Sequence, residues 1–190
     1  MKQTIWVLAI LPFLTGACSS IRVITDYNSQ ADYTALKTYS WAEPNKNQWR
    51  DPQINWQFVD ARVRRAANQE LKAKGYTLAQ TGQPDFTLVY YVALEDRQET
   101  IYAPIPAQYP MYGYQYAVGR DVYWTSTYPA ETREYREGSL ILDIVDARTN
   151  QALWRGTATA RLIENAQAEE RERRINEAVR ELLKKFPPSR

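Results

Sequence analysis

The chain has 190 residues, and its 24 lysines and arginines against 22 aspartates and glutamates leave a net charge of +2. This near-neutral balance argues against nucleic-acid binding, because nucleic-acid-binding domains carry an excess of basic side chains. No histidine is present, which removes the commonest metal ligand and the commonest general base near neutral pH. The single cysteine excludes an internal disulfide. We therefore expect neither an enzyme nor a bound metal or other cofactor.

The first eighteen residues have the pattern of an export signal. Lys2 provides a positive charge, and residues 5–14 form an apolar run that is shorter than the roughly 20 residues a membrane-spanning helix needs. Small residues then precede Cys18, in an arrangement that resembles the lipobox of bacterial lipoproteins, with Thr15 where leucine is commonest. The resemblance implies that residues 1–17 are removed and that Cys18 is lipidated. The alternative is an ordinary secretory signal with an incidental cysteine.

Lipidation would decide where the protein resides. Three acyl chains make membrane attachment effectively permanent, because each buried methylene group contributes about 0.8 kcal/mol. In Gram-negative lipoproteins an aspartate after the lipidated cysteine favours retention in the inner membrane, so Ser19 indicates the outer membrane. We expect residues 18–190 to form a single domain that faces the periplasm and contacts the membrane through its lipid anchor.

The first part of this domain predicts two short strands. Apolar and polar residues alternate over residues 21–27, which is typical of a half-buried strand. Residues 32–36 suit a single helical turn. Residues 38–41 predict a short strand with the rings of Tyr39 and Trp41 on one side.

A helix of about twenty residues is predicted next. Asp51 suits the N-cap and Pro52 the first helical position. Apolar residues then recur about every four positions, as on the buried face of a helix. Gly75 follows Lys72 and Lys74, which is typical of a helix C-terminus.

Three further strands and a second helix complete the domain. Residues 85–94 predict a central strand, and residues 138–145 and 152–159 predict a hairpin joined by a loop of several residues. Gly156 indicates a bulge or a close approach of the backbone. The side chains expected to face the core are Leu140, Leu142, Ile144 and Trp154.

The second helix is predicted over residues 165–186. Its narrow apolar stripe consists of Ile175, Val179, Leu182 and Phe186. The order of the elements predicts an α+β fold, with a single mostly antiparallel sheet and two amphipathic helices packed on one face.

With these elements placed, the sequence resembles a bacterial lipoprotein family known as domain of unknown function 4136. The most specific match is EGSLILDIVDARTNQALWRGTA at residues 137–158. Shorter matches are TALKTYSWAEP at residues 34–44, LKAKGY at residues 71–76, PDFTLVYY at residues 84–91 and INEAVRELLKKFPP at residues 175–188. The resemblance implies this fold and an envelope location, and it brings no catalytic or binding residues with it.

A tyrosine- and proline-rich insertion occupies about residues 101–136. An extended backbone would place Tyr112, Tyr114 and Tyr116 on one side. Together with Trp124 they could form a surface for a glycan, a peptide or an envelope protein, since tyrosine combines rigid contact area with a polar tip. The alternative is that the segment covers the open face of the sheet.

Two carboxylates near the predicted hairpin allow a catalytic interpretation. Glycoside hydrolases use two carboxyl groups about 5–10 Å apart, and Asp143 and Asp146 are three positions apart. Turn capping and an ion pair explain them more simply. A buried Trp154 beside an outward-facing Arg155 likewise needs no recognition motif.

Two functions from different classes remain. The first is a non-catalytic outer-membrane lipoprotein that acts as a structural or protein-interaction module of the cell envelope. The second is a ligand-binding lipoprotein that uses the tyrosine-rich segment to bind a glycan or peptide. An ordered cleft lined by Tyr112, Tyr114, Tyr116 and Trp124 would favour the second function, and a convex segment would favour the first.

Overall fold

The structure, a computed structural model, describes residues 21–43, 55–102, 113–118, 121–126 and 130–188. The strands among them are β1 (Arg22–Tyr27), β2 (Thr38–Trp41), β3 (Thr77–Leu78), β4 (Phe86–Tyr102), β5 (Gly113–Val118), β6 (Asp121–Ser126), β7 (Ala130–Asp146) and β8 (Ala152–Arg161). The helices are α1 (Trp56–Ala73) and α2 (Ala168–Leu183), with a short 3-10 turn at Tyr33–Ala35. For residues 113–118 and 121–126, the backbone alone is described.

Six of the strands form one mixed sheet in the order β1-β8-β7-β4-β2-β3. β2 runs parallel to both β3 and β4, whereas the other neighbours are antiparallel. The predicted α+β fold is confirmed, but the expectation of a mostly antiparallel sheet is wrong. The cause is α1, because a helix between two strands returns the chain to the end at which the first strand began.

The ends of α1 follow from local capping. The side chain of Asn55 accepts a hydrogen bond from the Phe58 amide at 3.3 Å and caps the first turn. The predicted start at Asp51 and Pro52 lies outside the described residues. The predicted end is confirmed at Gly75, whose φ of 89° is in the left-handed region that favours glycine.

A single core cluster joins the sheet to both helices. α1 packs against α2, and α2 packs against β8. The predicted inward residues of β7 and the Trp154 indole are buried, which confirms that part of the sequence analysis. The largest fully buried side chains are Trp154, Tyr39, Phe86, Phe186, Leu71, Leu88, Leu142, Ile144, Leu182, Leu183, Val63 and Val179.

The hairpin between β7 and β8 is also confirmed. The Asp146 amide donates to the Gln151 carbonyl at 2.9 Å, and Asn150 adopts a φ of 56° in the turn. Ile144 and Val145 of β7 pair with Trp154 and Ala152, so Leu153 is the extra residue and the bulge lies in β8 at Leu153, not at Gly156. No helix of the described residues is long and apolar enough to cross a membrane.

Candidate functional site

The structure places three of the residues that the sequence singles out and leaves two outside the described residues. Cys18 and Tyr112 belong to the second group, so their proposed roles stay predictions. Tyr114 and Tyr116 lie in β5, and Trp124 lies in β6. These two strands form a two-stranded antiparallel sheet of their own.

The register of β5 and β6 decides which of these positions share a face. Tyr116 is opposite Tyr123, whereas Trp124 is opposite Gln115. Opposed positions lie on the same face of a ladder, and the face alternates along each strand. Positions 114, 116 and 123 therefore share one face, and position 124 lies on the other.

The longest strand pair extends well beyond the rest of the sheet. β8 pairs with β7 only as far as Glu137, and β2 pairs with β4 only as far as Leu88. The seven pairs from Asp96–Arg136 to Tyr102–Ala130 have no third strand beside them among the described residues. We call residues 96–102 and 130–136 the arm. At about 3.4 Å per residue, the arm is about 24 Å long.

Charged side chains hold the arm together in place of a core. Arg136 Nε donates to Asp96 Oδ1 across the ladder at 3.0 Å. At the base of the arm, the guanidinium of Arg161 contacts Glu99 at 3.2 Å and lies 4.3 Å from the ring centroid of Tyr135. These contacts are exposed and individually weak, so they orient the ladder more than they stabilise the domain.

The two hairpin carboxylates have separate structural partners. Asp143 is buried, and its oxygens accept hydrogen bonds from Nε and Nη2 of Arg155, both at 2.6 Å. Asp146 Oδ1 accepts from the amides of Arg148 and Thr149 at 2.9 and 2.8 Å, and these bonds lower the pKa of its carboxyl group. The interpretation as an ion pair and a turn cap is confirmed.

A cleft of about 580 Å³ lies beside Tyr76, at a place that no sequence pattern predicts. It is formed where the segment after β1, the end of α1 and the segment after α2 meet. Its lining residues are Tyr27, Ser29, Ala31, Tyr33, Thr34, Leu36, Lys37, Lys74, Gly75, Tyr76, Pro187 and Pro188. These residues come from three distant parts of the chain, so no pattern within one stretch of the sequence predicts the cleft.

Aromatic contacts fix the inner wall of this cleft. The Tyr76 ring lies 5.5 Å from that of Phe86 and 5.6 Å from that of Phe186. The Tyr33 hydroxyl donates to the Leu153 carbonyl at 2.5 Å and contacts the Asn28 carbonyl at 3.1 Å. Burial raises the pKa of both tyrosines, so both hydroxyls stay protonated at neutral pH.

A second polar cluster connects α1 to β2 and β4. Asp60 Oδ1 accepts hydrogen bonds from the Tyr90 hydroxyl and from Arg64 Nε, both at 2.8 Å. The guanidinium carbon of Arg64 lies 4.8 Å from the ring centroid of Trp41. Burial and the adjacent Asp60 carboxylate raise the pKa of Tyr90, so its hydroxyl stays protonated and acts as a structural hydrogen-bond donor.

No group of three or more acidic, cysteine or histidine side chains is arranged to hold a metal within the described ranges. The expectation of no cofactor stays a prediction for the chain as a whole.

A comparison with protein families identifies the family of this chain. Residues 23–188 match the family described as Domain of unknown function (DUF4136). The chain belongs to this family. The match covers the sheet, both helices and the arm, and it confirms the resemblance seen in the sequence. No curated protein matches the chain.

The solved structures that resemble this chain share little of its sequence. A PDZ domain protein from Parabacteroides distasonis is 14% identical with a TM-score of 0.54, and the match covers 90% of this chain. The chain corresponds to only 37% of the length of that protein. The PelC dodecamer from Paraburkholderia phytofirmans is 11% identical with a TM-score of 0.45, over 86% of this chain and 94% of that one. At 14% identity, the likeness to the PDZ domain protein concerns the fold alone.

Proposed function

We propose that this chain is a lipid-anchored protein of the outer membrane that faces the periplasm and binds another envelope protein through its arm, without catalysing a reaction. The arm is the observation that carries the proposal. Its seven residue pairs contribute nothing to the core cluster, yet Arg136 and Asp96 form an ion pair across the ladder.

An isolated two-stranded ladder is marginally stable and exposes the backbone groups of its edges. The pairing of β2 with β4 ends at Leu88, so the outer edge of β4 has no described strand beside it over the arm. Such an edge can accept a strand from a partner, with main-chain hydrogen bonds supplying affinity. The charged side chains along it disfavour unspecific pairing and favour a partner with complementary charges.

The location rests on the sequence. The apolar run at residues 5–14 and the small residues before Cys18 support lipidation, and Ser19 supports the outer membrane.

In this proposal both helices cover the same face of the sheet. The support is that Val63 of α1 and Leu182 of α2 belong to the same core cluster as Leu88 and Leu142 of the sheet. The opposite face then carries the Arg155–Asp143 pair and the Ile24 side chain, which is 63% exposed. Neither helix would restrict access to the arm.

Replacing residues 96–136 by Asn-Gly removes the arm together with the tyrosine-rich segment between its strands, and this dipeptide suits a tight turn between Glu95 and Glu137. We expect an unchanged melting temperature and the loss of the proteins that chemical crosslinking joins to the full-length chain in intact envelopes. A shortened chain that keeps all crosslinked proteins would contradict the proposal.

A matched pair of point variants separates the arm from general surface effects. Tyr102→Ser in the arm should weaken crosslinking, and Phe58→Ser on α1 should not. These two rings are 66% and 59% exposed.

A second function is favoured by one observation on the tyrosine-rich segment. Positions 114, 116 and 123 share a face of the β5–β6 ladder, which suits a binding surface for a glycan or peptide. Replacement of Tyr112, Tyr114 and Tyr116 by serine would then abolish retention on an envelope glycan without changing the melting temperature. Early unfolding of this variant would indicate instead that the rings cover the sheet.

A further inference from the structure

The cleft beside Tyr76 has the size of a ligand site. Its volume of about 580 Å³ falls within the range of roughly 300–1,000 Å³ that is usual for small-molecule sites. Three tyrosines and two prolines give its walls flat apolar surfaces, and Tyr27 at its edge is 46% exposed. The cleft and the arm share no residue.

The charge of the cleft is one-sided. Lys37 and Lys74 are among its lining residues, and no lining residue is acidic. Within the described residues neither ammonium group has an ion-pair partner, although many basic side chains elsewhere in the domain do. The carboxylate of Asp85 is already engaged by the amides of Lys37 and Thr38, at 2.9 and 2.8 Å.

Backbone geometry and ring contacts within the domain fix the positions of Lys74 and Tyr76 in the lining of the cleft. Gly75, with its φ of 89°, turns the chain between Lys74 and Tyr76 and brings both to the cleft. The rings of Phe86 and Phe186 hold the Tyr76 ring in place. The Tyr76 hydroxyl has no hydrogen-bond partner in the described part of the chain, so it is available to a ligand.

We infer that this cleft binds an acidic oligosaccharide, with carboxylates of the sugar acids at Lys37 and Lys74 and the sugar rings against the tyrosines. Rigid aromatic faces suit the apolar faces of pyranose rings, and charge-assisted hydrogen bonds suit the carboxylates. An extended peptide is less suited, because it is recognised along a free strand edge, and Tyr27 is the one lining residue in a described strand.

The test is calorimetric titration of the full-length chain in detergent micelles with trigalacturonic acid. Maltotriose is the neutral sugar of matched size, and inorganic phosphate is the simple anion. The variants are Lys37→Gln and Lys74→Gln. Lys72→Gln is the matched control, because Lys72 lies in the last turn of α1 and is not a lining residue. Melting temperatures verify that each variant is folded.

We expect trigalacturonic acid to bind and each of the two lining lysine variants to weaken it about tenfold, with Lys72→Gln unchanged. Maltotriose and phosphate should each bind at least about tenfold more weakly than the acidic sugar. Equal binding of maltotriose, equal binding of phosphate or absence of any heat would overturn the inference. So would an equal effect of Lys72→Gln. If Lys74→Gln disturbs the helix end, Lys37→Gln alone decides the outcome.

Discussion

The Cβ atom that Gly156 lacks would lie 2.3 Å from Cη2 of the Trp154 indole. The same atom would lie 2.8 Å from Cδ2 of Leu182, so the indole and α2 both occupy the space above this glycine. Trp154 is 1% exposed and has no room to move away. Of the two sequence interpretations of Gly156, the close approach is therefore confirmed.

Gly156→Ala should destabilise the domain by about 1–3 kcal/mol, the usual cost of overpacking a well-filled core. Urea denaturation gives the free energy of unfolding. Gly138→Ala in β7 is the matched control, because its added Cβ would meet the end of the Leu162 side chain at 2.9 Å. Leu162 is 38% exposed and can move aside, so we expect a cost below about 1 kcal/mol. Equal effects of the two variants would contradict this view of the core.

Removing the guanidinium of Arg155 should leave the buried Asp143 carboxylate without its two donors. We expect Arg155→Ala to cost about 1–2 kcal/mol, less than for a fully buried pair, because the Arg155 side chain is 60% exposed and water can replace it. Arg22→Ala on the neighbouring strand β1 is the control and should change stability by less than about 0.5 kcal/mol. Chemical denaturation of both variants checks the difference. No difference between them would show that Asp143 is satisfied without Arg155.

We expect the Asp85 carboxyl group to make the free energy of unfolding decrease at acidic pH. Hydrogen bonds from the amides of Thr38 and Lys37, and from the Thr38 hydroxyl, lower the pKa of its carboxyl group in the folded state. The unfolded chain then binds this proton more readily, so stability is present above about pH 4 and is lost as the pH falls through the lowered pKa.

Asp85→Asn should flatten the acid limb of a plot of melting temperature against pH. Thr38→Ala should keep most of that slope, because both backbone donors remain. An unchanged slope in Asp85→Asn would show that other carboxyl groups, such as that of Asp146, account for it.

The sequence predicts those parts of the fold in which residues close together in the chain determine which side chains are buried. The inward face of β7 and the burial of Trp154 follow from alternation, because one side of each strand meets the core and the other does not. The continuation of β4 beyond Leu94 is not predictable in this way. Both faces of the arm meet solvent, so the apolar alternation that marks a strand stops although the strand continues.

Contacts between segments that are far apart in the chain could not be predicted from the sequence. The parallel pairing of β2 with β4 depends on the path of the chain through α1, which periodicity does not encode. The cleft depends on Lys37, Tyr76 and Pro187 meeting in space, and each of them alone is typical of an ordinary surface or loop. The register of β5 and β6 likewise separates position 124 from positions 114 and 116, which composition could not show.

Cys18→Ala should abolish membrane attachment and leave the domain folded. The reason is that, beyond the apolar run at residues 5–14, the sequence has no stretch near the roughly 20 apolar residues a membrane-spanning helix needs. Metabolic labelling with a fatty-acid analogue, followed by membrane fractionation, checks both lipidation and location. A Cys18→Ala protein that stays firmly in the outer-membrane fraction would contradict the anchor. The melting temperature of the soluble variant is the control for folding.

Site-specific photo-crosslinking from the arm in intact cells tests the proposed function most directly. A photoreactive residue at Thr100, which is exposed in the arm, samples the proposed partner surface, and one at Gln69, exposed on α1, samples a surface outside it. We expect a discrete adduct with one envelope protein from position 100 and none from position 69. No adduct from position 100, or the same adducts from both positions, would contradict the proposal that the arm is the surface through which this protein acts.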